Sequence, residues 1–240
     1  MKRFFIYLCF FLSIPLASKG VKIDRKKTPV FVVHSVGKKA KRNYCYVTYT
    51  QFKNFLEELN LNEFWPISTY ELIRGKADLP DKKIPFVIQF DDAWSNQVRV
   101  DFKADTLLEC GLKIYEKACN QFGWPKKAAF AITFEHEPFN QEKVLDWLSE
   151  QGYELLNHTF THPNLNKLSK EKIKEEIELV ESRLKRHQSR SDTIALVIPF
   201  GKLTQELYKK IKQIENETKK SFYLFTTYPT TFPKAKSRIE

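Results

Sequence analysis

Two short segments carry the residue types that do chemistry. Gln89-Phe90-Asp91-Asp92 ends one apolar run, and Asn157-His158-Thr159-Phe160-Thr161-His162-Pro163 ends another. Together they offer two imidazoles and a carboxylate for a divalent metal, with a second carboxylate beside it as a base. Metal-assisted hydrolysis needs little more. On its own the His-x-x-x-His spacing fits an ordinary polar loop equally well, and adjacent aspartates often only cap a helix or start a turn. Their joint presence changes that balance. Pro163 biases His162 away from the helical region, so a turn after a strand, with both rings facing one ion, fits better than a helix face. Asn157, Thr159 or Thr161 would then supply hydrogen bonds to the metal-binding rings. Neighbouring carboxylates on a bent backbone face different directions. That assigns Asp92 to the metal and Asp91 to the proton of the attacking water.

Elements must exist to bring these residues together. Strand-length apolar runs occur at Pro29 to His34, Pro85 to Phe90, Ala128 to Phe134, Tyr153 to Asn157, Thr193 to Pro199 and Phe222 to Thr227. Helical stripes lie between them: Phe52, Phe55, Leu56 and Leu59; Val144, Leu145 and Leu148, ended by Gly152; Ile173, Ile177, Val180 and Leu184; and Leu207, Ile211 and Ile214. Ser169 and Thr204 are the expected N-caps of the last two. Strands alternating with helices predict an α/β fold with a mainly parallel sheet, open or closed into a barrel. His34, Asp91, Asp92, His136 and His158 all follow directly on the strand-like runs. In a parallel fold that is the carboxyl rim, where loops can be shaped for catalysis without disturbing the core.

The first residues bear on where such chemistry happens. Lys2 and Arg3 precede an apolar stretch from Phe4 to Leu16, followed by small residues at Ala17, Ser18 and Gly20. Residues 1–20 read as a signal peptide, the stretch being shorter than the ~20 residues of a membrane span. The expected location is periplasmic, envelope-associated or extracellular. Residues 21–240 form the expected single catalytic domain, with no linker or repeat dividing it. Three cysteines remain after export, Cys45, Cys110 and Cys119, too sparse for a disulfide framework and expected to pack as small apolar residues. The net charge of +11 falls to about +8 without the leader. An exported protein rarely meets nucleic acid, so an anionic envelope surface is the more sensible partner for that field. The stretch Lys167 to Arg190 alternates with glutamates, as a solvated helix face does, and His187 within it is expected to be solvated.

At these residues the chain resembles the polysaccharide deacetylases of carbohydrate esterase family 4, whose motifs are Phe-Asp-Asp-Gly and Asn-His-Thr/Ser-x-x-His-Pro. Phe90-Asp91-Asp92 and Asn157 to Pro163 match them, and Pro199-Phe200-Gly201 is similar to a third family element. The likeness runs from about Pro29 to Tyr228. It implies a distorted, incomplete (β/α) barrel, a metal, zinc by default, held by Asp92, His158 and His162, and Asp91 as base. The segment from Val30 to His34, with Tyr49 to Leu59 and Trp65 to Leu72, is similar to deacetylases of exported poly-N-acetylglucosamine. In that branch the general acid comes from the early strand, which here means His34; no histidine follows His187.

The activity so implied is hydrolysis of an acetamide on an amino-sugar polysaccharide, releasing acetate, by a protein expected to be monomeric. Trp94, His136, Pro199 and Phe200 are the candidate substrate contacts, with core packing the competing role for Trp94. The sequence departs from the family pattern where Ala93 replaces glycine, Gln89 replaces Thr or Ser, and Val197 replaces an arginine. Ala93 motivates a second reading, a glycan-binding protein that keeps the fold and has lost turnover. A deacylase acting on a small or lipid-linked sugar is a third.

Overall fold

The structure is a computed structural model, and it describes residues 20–39, 46–135, 137–188 and 192–226. Residues 1–19, most of the expected signal peptide, lie outside the described residues, as do Cys45, His136 and the segment from Thr227 onward. Seven parallel strands form one curled sheet: β1 (Val30–Val33), β2 (Phe64–Pro66), β3 (Ile84–Phe90), β4 (Ala129–Ile132), β5 (Glu154–Asn157), β6 (Thr193–Val197) and β7 (Ser221–Phe225). Their order is β7-β6-β5-β4-β3-β1, and β2 pairs the first residues of β3. The sheet is thus a half-barrel whose edges, β1 and β7, face each other across an open seam. Six helices connect the strands: α1 (Tyr49–Leu61), α2 (Thr69–Arg74), α3 (Gly111–Phe122), α4 (Glu142–Glu150), α5 (Lys170–Leu184) and α6 (Gln205–Thr218).

The period-2 alternation of each strand sorts its side chains between two faces. On the convex side Val33, Ile88, Phe90, Phe130, Ile132 and Leu155 pack against α1, α3 and α4. Ile194 and Leu196 do the same against α5 and α6. The concave side has smaller residues, Ala129, Ala131 and Ala195, and that space is taken by Tyr70 and Ile73 of α2. Helix α2 is seated there by Glu154, whose carboxylate accepts from the backbone N–H groups of Thr69 (2.6 Å) and Tyr70 (3.1 Å). The amino end of the half-barrel is therefore plugged, and only the carboxyl rim and the seam remain open.

Local signals explain where the helices begin. Ser169 and Thr204 accept from the N–H groups of Lys172 and Leu207, as expected of N-caps. Thr48 with Gln51, and Ser68 with Glu71, form reciprocal capping boxes. Helix α3 is an addition to the sequence-based elements: its N-cap, Cys110, makes no side-chain cap bond. Cys110 and Cys119 are buried free thiols. His187 corrects an expectation. Its ring is enclosed between Glu142 (2.7 Å) and Asp146 (2.6 Å) of α4, because the chain leaving α5 folds back over that helix. No described helix is long and apolar enough to cross a membrane.

Candidate metal and catalytic centre

The register of β1 on β3 builds the site in layers. Val32 lies opposite Gln89 and Val33 opposite Phe90, and directly after that last pair come His34 and Asp91. Strand β3 then ends in two consecutive left-handed residues, Asp92 (φ 66°) and Ala93 (φ 53°). This bend turns the two carboxylates apart. Asp91 is 4% exposed and accepts from Gln89 Nε2 at 2.7 Å, while the Asp92 side chain reaches the rim. Burial pushes the Asp91 carboxyl above its ordinary range, against the pull of His158, His34 and the Gln89 amide. Ala93 stands where glycine's conformational freedom would be used, at a cost of about 1 to 2 kcal/mol for an L-residue in this region. The bend is made regardless, with the Ala93 methyl buried in the core behind it.

The two histidines come from the loop after β5, a turn as expected, with left-handed residues at Thr159 (φ 65°) and His162 (φ 50°). His158 Nδ1 donates to the Val197 carbonyl at 2.8 Å. That bond leaves Nε2 of a neutral ring as a lone pair, and it faces Asp92 Oδ1 at 3.0 Å. His162 Nε2 lies 3.1 Å from the same oxygen. Three electron-rich atoms pointed at one another call for a cation among them. Burial opposes a charge on the His158 ring, but the Asp92 carboxylate raises its pKa above the ordinary value, and the two rings hold Asp92 far below the usual carboxylate range. Asp92, His158 and His162 are also the one group of His, Cys, Asp or Glu side chains among the described residues whose ligand atoms meet, all within 4.8 Å. Two imidazoles and a carboxylate suit zinc or a neighbouring first-row ion, and a three-residue set leaves positions open. The residues fit the group.

On the other side of Asp92, His34 Nε2 approaches Oδ2 at 3.6 Å, an ionic contact too long for a hydrogen bond. The ring is partly exposed and lines, with Gln89, Asp91, Asp92, His158 and His162, a cavity of about 920 Å³ that continues down the seam between β1 and β7. Phe200 stands at its rim, 60% exposed and held in a left-handed conformation (φ 60°), its ring 4.9 Å from that of His162. Pro199 is buried behind it. Trp94 does not line this cavity; it packs edge-on against Tyr46.

Several supports were not legible in the sequence. Thr161 and Asn157 hydrogen-bond elsewhere than to the imidazoles, as they turn away toward α5. Asn157 Nδ2 donates to the Ile177 carbonyl and to Glu181, and its Oδ1 accepts from Thr159 N. Thr161 donates to Glu176. Gln97 ties the ends of β1 and β3 together, its amide donating to the carbonyls of Val33, His34 and Asp91. The Ile177, Glu181, Glu176, Val33 and His34 partners are distant in sequence, so no local spacing announces them.

The sequence profile of the family described as polysaccharide deacetylase matches residues 79–218, a span that contains Asp91, Asp92, His158 and His162. The chain belongs to that family. No curated protein sequence matches it. Among solved structures it is similar to the Streptococcus pyogenes deacetylase PplD in complex with acetate, at 18% identity and a TM-score of 0.55, over 81% of each chain. It is similar to a polysaccharide deacetylase from Bacillus cereus at 17% identity and a TM-score of 0.61, over 86% of this chain and 59% of that one. It is also similar to IcaB from Ammonifex degensii at 13% identity and a TM-score of 0.54, over 82% and 83% of the two chains. These likenesses establish the fold, the incomplete barrel of the deacetylases.

Proposed function

We propose that this protein is a metal-dependent N-deacetylase that releases acetate from an N-acetylated amino-sugar polysaccharide. The observation that carries the reading is the convergence of His158 and His162 Nε2 on one oxygen of Asp92, with a buried carboxylate and a third histidine on either side. Asp92, His158 and His162 would hold a divalent ion, zinc by default. When bound, that ion supplies Lewis acidity for water and for the acetyl oxygen. Asp91, fixed through one oxygen by Gln89, has its other oxygen free to take the proton of the attacking water. The enclosing burial keeps its carboxyl a better base than a solvated aspartate. A backbone N–H near Ala93 steadies the developing oxyanion. His34, across Asp92 from the other rings, protonates the departing amine. Phe200 offers its exposed face to a sugar ring at the rim.

The position of His34 directly after β1 supports placing the chain with the deacetylases of exported poly-N-acetylglucosamine. The apolar leader supports export, and the excess of basic residues supports contact with an anionic envelope surface. The protein acts as a single domain and a monomer. Acetate release from N-acetylglucosamine oligomers by zinc-loaded protein tests the reading. Asp91→Asn should lower it by about 10² to 10⁴-fold, the worth of a positioned base. Undiminished release from that variant, or none from the unsubstituted protein on any acetylated glycan, would overturn it.

A further inference from the structure

His158 is oriented by the Val197 carbonyl. Among the described residues no hydrogen bond plays that part for His162, whose ring packs against the rings of His158 (4.7 Å) and Phe200 (4.9 Å) and meets Asp92. Something else must fix this ligand, since its backbone sits in the costly left-handed region. The residue before it supplies the hold. Thr161 N donates to Glu176 Oε2 at 2.8 Å and Thr161 Oγ1 to Glu176 Oε1 at 2.8 Å. Both oxygens of a carboxylate only 3% exposed are thus taken by one residue. Further along α5, Glu181 binds Asn157, which in turn holds Thr159 N. Helix α5 therefore grips the loop at Asn157 and at Thr161, each the residue directly before one of the two histidines.

We propose that Glu176 is a positioning residue for the metal, holding Thr161 so that His162 Nε2 meets the same Asp92 oxygen as His158. The inference rests on the metal-site reading above. A buried carboxylate is costly unless its partners compensate, and here both bonds are charge-assisted and both restrain the peptide that carries His162. The hold works by geometry and does not need the charge. A carboxamide at this position could accept from Thr161 N and donate to Thr161 Oγ1, because a hydroxyl serves either way.

The test is zinc affinity of the full chain, measured by competition with a chromogenic chelator well below the unfolding temperature. Glu176→Ala should weaken zinc binding about 10- to 100-fold, the usual effect of losing an outer support of a metal ligand. Glu176→Gln should stay within about threefold of the unsubstituted protein, a rescue that lost charge alone would not allow. Should Glu176→Ala fail to fold, Thr161→Val removes one of the two bonds and should weaken binding about threefold or more. Unchanged affinity in the alanine variant, or in Thr161→Val if that variant is the one available, overturns the inference while leaving the metal reading intact. Absence of zinc binding by the unsubstituted protein overturns both.

Discussion

Asn157 to alanine is the substitution whose cost can be worked most directly from the structure. The side chain is fully buried and makes three hydrogen bonds: to the Ile177 carbonyl (3.0 Å), to Glu181 Oε1 (2.9 Å) and from Thr159 N (3.0 Å). Two neutral bonds contribute about 1 kcal/mol each, and one to a charged group about 1.5 to 3 kcal/mol. The loss should therefore be about 3 to 5 kcal/mol, because the stranded groups are too enclosed to recover water freely. With a urea slope of about 2 to 3 kcal/mol/M, the unfolding midpoint should fall by about 1 to 2 M. Urea unfolding followed by tryptophan fluorescence reads this, with Asn62→Ala as the control, since Asn62 makes a single exposed bond to Glu58. A midpoint within about 0.3 M of the unsubstituted protein would refute the claim that α5 anchors the histidine loop through Asn157.

Three other outcomes are expected. Asp91 must be ionised to act as base, and its pKa is raised chiefly by burial, so kcat/KM should fall on the acid side with a midpoint higher than that of an ordinary aspartate; a limb at or below the ordinary value of about 3.9 would contradict this. Phe200→Ala should raise KM for oligosaccharide about 3- to 10-fold, the worth of one aromatic face, with little change in Tm because the ring is 60% exposed; an unchanged KM would remove Phe200 from the substrate site. Gln97→Leu should lower kcat about 10- to 100-fold together with Tm, because the carbonyls of Val33, His34 and Asp91 lose their common donor and the ends of β1 and β3, which carry the proposed acid and base, lose their tie; unchanged kcat would show that the tie is dispensable.

Strand β2, three residues long, escaped the sequence reading, but the other six strands are apolar runs, and each polar rim residue breaks such a run. His34, Asp91, Asp92 and His158 stand at strand ends for that reason, and Pro163 marks the turn that holds His162. The helices announced by Ser169 and Thr204 were legible through their caps. Helix α3 was not, since Cys110 gives no capping signal. The supports of the site escaped sequence reading for a different reason. Glu176 reads as one more acidic residue on a charged helix, and only the packing of α5 against the loop turns it inward. His187 was misread in the same way, its charged neighbourhood suggesting solvent while α4 encloses it. Ala93 drew attention as a missing glycine, and the left-handed backbone there bears out why glycine suits the position. The alanine does not displace Asp92 from the imidazoles.

Anomalous diffraction from crystals of the zinc-loaded protein tests the central claim most directly. One peak should appear at about 2.0 to 2.2 Å from Asp92 Oδ1, His158 Nε2 and His162 Nε2 together. A zinc peak elsewhere in the chain, or one lacking any of these three ligands, would contradict the account.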